Sequence, residues 1–249
     1  MIRNALRARL YKNKELIYTR RQGQGSLYIS NDSVLKAFNI SMPDYKNEYH
    51  VLKHLKHPNI ITIQDSFYKE ANFYTVMPYH RKGDLLYRIF GEPIHSSRDI
   101  LNITRKLIKP IAYLHHNKHV HLDIKLENYV EGDKYAYILI DFEHTQQFNK
   151  DYYELQHISQ IVGTNKYMAP EIHDFHYGPT SDVYSLGKIL YMIIARRYCD
   201  TIDIDWTPIR TKLPEFEEQL IAMLQHNHRL RPTIFDLYRD INALFCRQY

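Results

Sequence analysis

Eight consecutive residues, His121-Leu122-Asp123-Ile124-Lys125-Leu126-Glu127-Asn128, place an acid, an amine and an amide within six positions. A carboxylate at Asp123 can accept a hydroxyl proton or orient the hydroxyl. Lys125 offers a compact positive charge for a phosphate, and Asn128 an oxygen of the kind Mg²⁺ prefers. Thirteen residues beyond Asn128, the apolar run Tyr137 to Ile140 ends abruptly in Asp141-Phe142-Glu143. A buried strand that ends in aspartate holds its carboxylate rigidly, so Asp141 is a second candidate oxygen ligand.

Such a set works only when a scaffold holds it. Leu16 to Arg21 reads as a strand, Gly23-Gln24-Gly25 as a turn, and Ser26 to Ser30 as a second strand. Asn31-Asp32 makes a tight turn into a third strand, Val34 to Phe38. A helix is expected from Ser41 as cap, with Pro43 in its first turn, to about Leu55. Two strands follow, Ile60 to Tyr68 and Phe73 to Met77. From Asp84 onward helices dominate, beginning with the stripe Ile100, Ile103, Leu107, Ile111 and Leu114. Short strands are expected around Val120 and at Tyr137 to Ile140, and helices over Ser181 to Ala195, Glu215 to Gln225 and Thr233 to Phe245. Strands first and helices afterwards predict an α+β fold in two lobes, residues 1–79 and 80–249, with Pro78 to Gly83 as the junction. A ligand would sit in the cleft between the lobes.

Composition narrows the partners. The chain has 249 residues, 44% apolar and 24% charged, which fits a folded protein and excludes wholesale disorder. The 33 Lys and Arg are nearly balanced by 28 Asp and Glu, and no long basic run with interleaved aromatics points to nucleic acid. The longest apolar run, Ile189 to Ala195, is too short to span a bilayer, so no membrane is expected. Met1 to Arg9 is basic, but no apolar core or cleavage site follows it, so no signal peptide is read. Two cysteines, Cys199 and Cys246, make neither a disulfide framework nor a metal-ligand pattern, and fit a reducing, intracellular compartment. Among the 15 histidines, His115-His116, His226 and His228 read as caps or surface groups at helix ends, and His121 as a packed core residue. Glycine is scarce, with 8 against 22 tyrosines, so each glycine position carries information.

In combination these residues resemble the eukaryotic-type serine/threonine protein kinases. The segment from His121 to Asn128 is similar to that family's catalytic loop, and Asp141-Phe142-Glu143 to its Asp-Phe-Gly motif. Ala169-Pro170-Glu171 resembles the end of its activation segment, Asp182 to Gly187 the start of its buried anchoring helix, and Arg231 the arginine that pairs with Glu171. The resemblance implies Asp123 as catalytic acceptor, Lys125 steadying the transferring phosphate, and Asn128 and Asp141 holding Mg²⁺. Val34-Leu35-Lys36 resembles the strand that holds the first two phosphates of ATP. Lys36 then needs a helix glutamate. Tyr45, Glu48, Leu52 and Leu55 share a helical face at steps of three, four and three, so Glu48 is the partner. Leu52, Ile63, His121 and Phe142 match the stacked side chains that tie the lobes together in the family.

The resemblance further implies nucleotide contacts. Gly23 and Gly25 fall in the glycine loop, and Met77 is the gatekeeper. Pro78 offers its carbonyl and His80 its N–H to adenine, while Asp84 approaches the ribose. Lys125 together with Gly163-Thr164 is similar to the serine/threonine branch. Asp84 and Glu127 match positions that receive a basic residue shortly before the acceptor. The expected partner is thus a protein substrate with such residues, acted on by a monomer.

Four departures stand out. Tyr28 takes the place of the third loop glycine, and Glu143 that of the motif glycine. Leu122 replaces the arginine that reads a phosphate on the activation segment, so activity is expected not to be gated by Thr145, Tyr152, Tyr153 or Ser159. The spacings from Lys36 to Glu48 and from Asp182 to Arg231 are short. This compaction points to a minimal kinase of the cytoplasm or nucleus, in a host cell if it is viral or parasite-derived. The rival reading is a pseudokinase, a nucleotide-binding scaffold or regulator. The survival of Lys36, Glu48, Asp123, Asn128 and Asp141 favours an active transferase.

Overall fold

A computed structural model describes residues 15–19, 25–30, 32–42, 45–91, 96–133, 136–149, 151–197 and 204–247. Gly23, Asn31, Pro43 and Cys199 lie outside them. The chain divides into two compact units between Lys82 and Gly83.

The first unit is a five-stranded antiparallel sheet with one helix. Its strands are β1 (Glu15–Thr19), β2 (Ser26–Ser30), β3 (Ser33–Asn39), β4 (Asp65–Lys69) and β5 (Asn72–Pro78), in the order β1-β2-β3-β5-β4. Side chains alternate across the pleat. On one face Leu35, Ala37, Phe67, Tyr74 and Val76 form an apolar cluster against which Tyr28 packs. On the other face Lys36 pairs in register with Thr75, and Phe38 with Phe73. The helix, α1 (Asn47–His54), covers that second face, with Tyr49 edge-on to Phe73 at 5.4 Å between ring centroids.

Two elements here differ from expectation. Ser41 does not cap the helix: its N–H and hydroxyl donate to Asn39 Oδ1 at 2.9 and 2.8 Å, closing a local turn instead. The helix begins at Asn47, six residues later, without a side-chain cap. The strand expected from Ile60 begins only at Asp65, with Ile60 in an isolated bridge and Gln64 N–H donating to the Val76 carbonyl at 2.8 Å, so Ile63 precedes β4 rather than lying on it.

The second unit is mostly helical. It contains α2 (Leu85–Gly91), α3 (Ser97–His116), α4 (Pro170–His173), α5 (Pro179–Ala195), α6 (Thr207–Lys212), α7 (Glu217–Met223) and α8 (Ile234–Arg247). Ser96 caps α3 by accepting from Asp99 N–H, and the expected stripe from Ile100 to Leu114 is buried along its length. Each such side chain contributes about 1.5–3 kcal/mol by leaving water. α5 is buried on nearly every side, as expected of a helix apolar all round. Arg231, just before α8, is fully buried and grips both oxygens of Glu171 on α4 at 2.7 and 2.8 Å. It also donates to the carbonyls of Thr180, Gln225 and His226, so its charge is well satisfied.

Short strands supply the pieces that hold the chemistry. β6 (His119–Val120) pairs with β9 (Gln146–Gln147), β7 (Tyr129–Glu131) with β8 (Tyr137–Leu139), and β10 (Gln156–His157) with β11 (His176–Tyr177). No helix among the described residues is long and apolar enough to cross a membrane.

Candidate active site

The loop from His121 to Asn128 leaves β6 and enters β7, and Asp141 follows β8. Ile140 joins the two: its N–H donates to Asn128 O at 2.9 Å, and its carbonyl accepts from His121 Nε2 at 3.2 Å. Asn128 and Asp141 are therefore carried on adjacent, cross-bonded backbone. His121 is fully buried and edge-on to Phe142 at 4.9 Å between ring centroids. Its Nδ1 accepts from Asp123 N–H at 3.2 Å, so Nε2 carries the proton donated to Ile140. Burial pushes its pKa below the ordinary histidine value, against the pull of Asp182, Asp123 and Asp141. It is the packed core residue the sequence suggests.

Asp123 is buried, and its carboxylate accepts three side-chain donors. Thr164 Oγ1 donates to Oδ1 at 2.8 Å, while Lys125 Nζ at 2.6 Å and Asn128 Nδ2 at 3.0 Å donate to Oδ2. Lys125 Nζ also donates to Thr164 Oγ1 at 3.0 Å, so acid, amine and hydroxyl form a closed triangle. Thr164 thus belongs to the site, through the Gly163-Thr164 pair already conspicuous in the sequence. Gly163 adopts φ +95°, and a Cβ there would lie 2.4 Å from the Leu122 carbonyl, so only glycine lets this segment approach the loop.

Asn128 spends its amide nitrogen on Asp123, at 2.8 Å to the carbonyl and 3.0 Å to Oδ2. That leaves Oδ1 as its candidate ligand atom, and its backbone carbonyl accepts from Ile140, the residue before Asp141. Two hard oxygen donors on neighbouring backbone fit Mg²⁺. Asp141 sits at φ +66°, in the left-handed region that aspartate tolerates better than most residues. Glu143 is not among the residues with positive φ, so glutamate imposes no backbone strain where the family motif has glycine.

A second aspartate fixes the loop from behind. Asp182 on α5 accepts from His121 N–H at 2.8 Å through Oδ2 and from Leu122 N–H at 2.9 Å through Oδ1. The two bonds hold Leu122 at φ +65°, a conformation leucine ordinarily avoids. The Leu122 side chain joins Val120, Phe148, Ile158, Val162, Ala169, Ile172 and Tyr177 in one apolar cluster. His115 Nε2 lies 3.1 Å from Asp182 Oδ2, and His115 is buried. The expectation of a cap or surface residue at His115 is therefore corrected. Its partner lies 67 residues along the chain, and nothing local announces the pair.

In the first unit, Lys36 Nζ meets Glu48 Oε1 at 2.8 Å, both side chains buried. Gly25 has φ +145°, and a Cβ there would come within 2.5 Å of the Ala37 carbonyl, so its absence of side chain serves the approach of β2 to β3. Tyr28 is mid-strand opposite Leu35 and packs on the apolar cluster, which makes it a sheet residue rather than a loop defect. Val34 pairs with Met77, and Pro78 with Ser33, at the end of β5; Met77 is buried, while Pro78 and His80 are half-buried. Asp84, at the head of the second unit, caps α2 by accepting Tyr87 N–H at 2.9 Å through Oδ1. Of the four activation-segment hydroxyls, Thr145 is buried, Tyr152 is engaged in hydrogen bonds, Tyr153 is half-buried and Ser159 is exposed.

Comparison with known proteins gives the family. The protein kinase domain family matches residues 30–240. The chain belongs to the protein kinase family. It is 31% identical over 159 residues to calcium-dependent protein kinase 20 of Oryza sativa subsp. japonica, covering 62% of this chain and 28% of that protein. It is 30% identical to calcium-dependent protein kinase 7 of Arabidopsis thaliana, over 62% of this chain and 29% of that protein. A CaM kinase-like vesicle-associated protein of Danio rerio is 31% identical over 60% of this chain and 34% of its own length. The chain spans about a third or less of these relatives. For this kinase domain the α+β fold, strand-rich at first and helical afterwards, is as the sequence indicates.

Proposed function

We propose that the chain is a transferase that moves the γ-phosphate of ATP to serine or threonine hydroxyls of protein substrates. The observation that carries this reading is the closed triangle of Asp123, Lys125 and Thr164. The acceptor hydroxyl gives its proton to Asp123, or is oriented by it. Lys125 offers its charge to the transferring phosphate, and Thr164 keeps the two side chains in register. Asn128 and Asp141 would hold Mg²⁺, which when bound neutralises charge on the phosphates. Lys36, braced by Glu48, would take the first two phosphates.

A preference for basic residues before the acceptor draws support from Glu127. Its partly exposed carboxylate lies 3.6 Å from Lys166 Nζ and accepts from Tyr167 OH at 3.1 Å. A substrate arginine would take over the place that Lys166 fills. Asp84 adds less to this preference, because its Oδ1 is committed to the α2 cap.

The test is transfer of labelled phosphate from Mg²⁺-ATP to a basic protein and to a degenerate peptide library. Wild type is expected to label serine and threonine, with Arg or Lys enriched upstream, and Lys36→Met to lose transfer while staying folded. Nucleotide binding without any transfer by wild type would overturn the enzyme reading in favour of a scaffold. A flat library would remove the basic preference alone.

A further inference from the structure

Tyr152 lies in the segment between Asp141 and Glu171, away from the reacting groups, yet its hydroxyl sits at the junction of three elements. It is 2.9 Å from the N–H of Ile234, the first residue of α8, and 2.9 Å from His115 Nδ1 on α3. The ring is packed edge-on against His115 at 5.5 Å, with Phe148, Tyr153 and Phe235 around it.

The direction of every proton in this cluster follows from the groups present. A backbone N–H only donates, so Ile234 gives to the Tyr152 oxygen. Burial pushes the Tyr152 pKa well above the ordinary tyrosine value, so the hydroxyl keeps its hydrogen and donates it to His115 Nδ1. His115 then carries its own proton on Nε2, facing Asp182 Oδ2 at 3.1 Å. Asp182 in turn accepts from His121 and Leu122 N–H, the two residues immediately before Asp123.

We infer that Tyr152 is a positioning residue for phosphoryl transfer, because its hydroxyl fixes the tautomer and ring of His115 and through them the carboxylate that holds the catalytic loop. The chain runs Ile234 N–H, Tyr152 O–H, His115 Nε2–H, Asp182, with no step that lacks a donor or an acceptor. Without the hydroxyl, Ile234 N–H loses its acceptor, and His115 is free to take the other tautomer, which presents a lone pair to Asp182. The Asp182 carboxylate then loses one of its three donors and with it the orientation that keeps Leu122 left-handed. The tether needs no covalent modification of the segment. It rests on the proposed kinase reaction only for its effect on rate; the backbone grip exists whether or not phosphate is transferred.

The experiment uses the full chain with Tyr152→Phe, which keeps the ring and removes the hydroxyl, and Tyr153→Phe as control. Steady-state kinetics with ATP and a peptide are combined with hydrogen exchange at the His121 and Leu122 amides. Tyr152→Phe is expected to lower kcat about tenfold, the size of one hydrogen bond, with KM for ATP within about twofold, and to speed exchange at both amides about tenfold. Tyr153→Phe should leave all three unchanged. His115→Gln breaks the same chain one link nearer Asp182 and should speed the same two amides, so a failure of Tyr152→Phe to fold leaves a deciding measurement. Unchanged exchange and kcat in Tyr152→Phe would overturn the inference, as would a rise in KM for ATP at constant kcat. If wild type transfers no phosphate, the reaction reading fails while the exchange rates still decide whether the tether holds.

Discussion

Asp123 and Asp182 are both buried carboxylates that accept three donors, and they differ in what donates. Asp182 takes two backbone N–H groups and a buried histidine, none of which can move without unfolding something. Asp123 takes Lys125, Thr164 and Asn128, all side chains, and Lys125 and Thr164 are partly exposed. The first set is suited to permanence and the second to exchange, since a substrate hydroxyl or phosphate can replace a side-chain donor. The contrast separates holding from reacting within one short loop. Asp182 fixes the backbone of residues 121 and 122, and Asp123, next in sequence, inherits that precision.

The largest test of the contrast is Asp123→Asn. It removes the acceptor without emptying the site, so activity should fall about 10³-fold while the thermal midpoint stays within a few degrees of wild type. A parallel loss of stability would place Asp123 with Asp182 as a structural group. Asp182→Asn should do the reverse, turning an amide N–H₂ toward donors it cannot accept. About 3 kcal/mol of stability should be lost in denaturant unfolding. Gly163→Ala comes third. Its Cβ would collide with the Leu122 carbonyl at a φ only glycine tolerates, so the segment carrying Thr164 must move, and kcat should fall about 10²-fold with less effect on stability.

Smaller effects sharpen the picture. The folded-state pKa of His121 lies below 6.5 because burial disfavours its cation. The unfolded chain therefore binds more protons, so stability is full above pH 6.5 and declines as pH falls below it, by up to about 1.4 kcal/mol per pH unit. Melting curves from pH 7.5 to 5 should show that decline, and His121→Phe should flatten it. A slope identical in the variant would assign the decline to other groups. Smallest is Glu143→Gly. Glu143 is not left-handed in the folded chain, so glycine there relieves no strain; it adds freedom to the unfolded state and removes a carboxylate within 4.8 Å of that of Asp141, costing about 0.4–1 kcal/mol with kcat within about twofold.

The sequence was most legible where chemistry and period act over a few residues. The α3 stripe, the strand that leads toward Asp141 and the loop from His121 to Asn128 are all local patterns, and the structure has them. The loop's partners were partly legible, since the Glu171–Arg231 pair follows from ordered family motifs 60 residues apart. His115 and Tyr152 were not. Their roles depend on partners 37 to 82 residues away, and a histidine at a helix end reads as a cap until the fold buries it. The start of α1 was misplaced for a local reason: Ser41 has the composition of a cap, but Asn39 captures it first. Tyr28 and Glu143 depart from the motif, yet Tyr28 pairs in mid-strand on the strand the sequence predicts and Glu143 has no positive φ.

The apolar surroundings of Leu122 carry a lesson for engineering. Placing arginine at that position would send a guanidinium among the apolar side chains of Phe148, Ile158, Val162 and Ile172. For position 122 to read a phosphate, a designer would have to rebuild the apolar segment from 148 to 172 around it. The substitution alone would cost stability, because the charge would lose its water among apolar side chains.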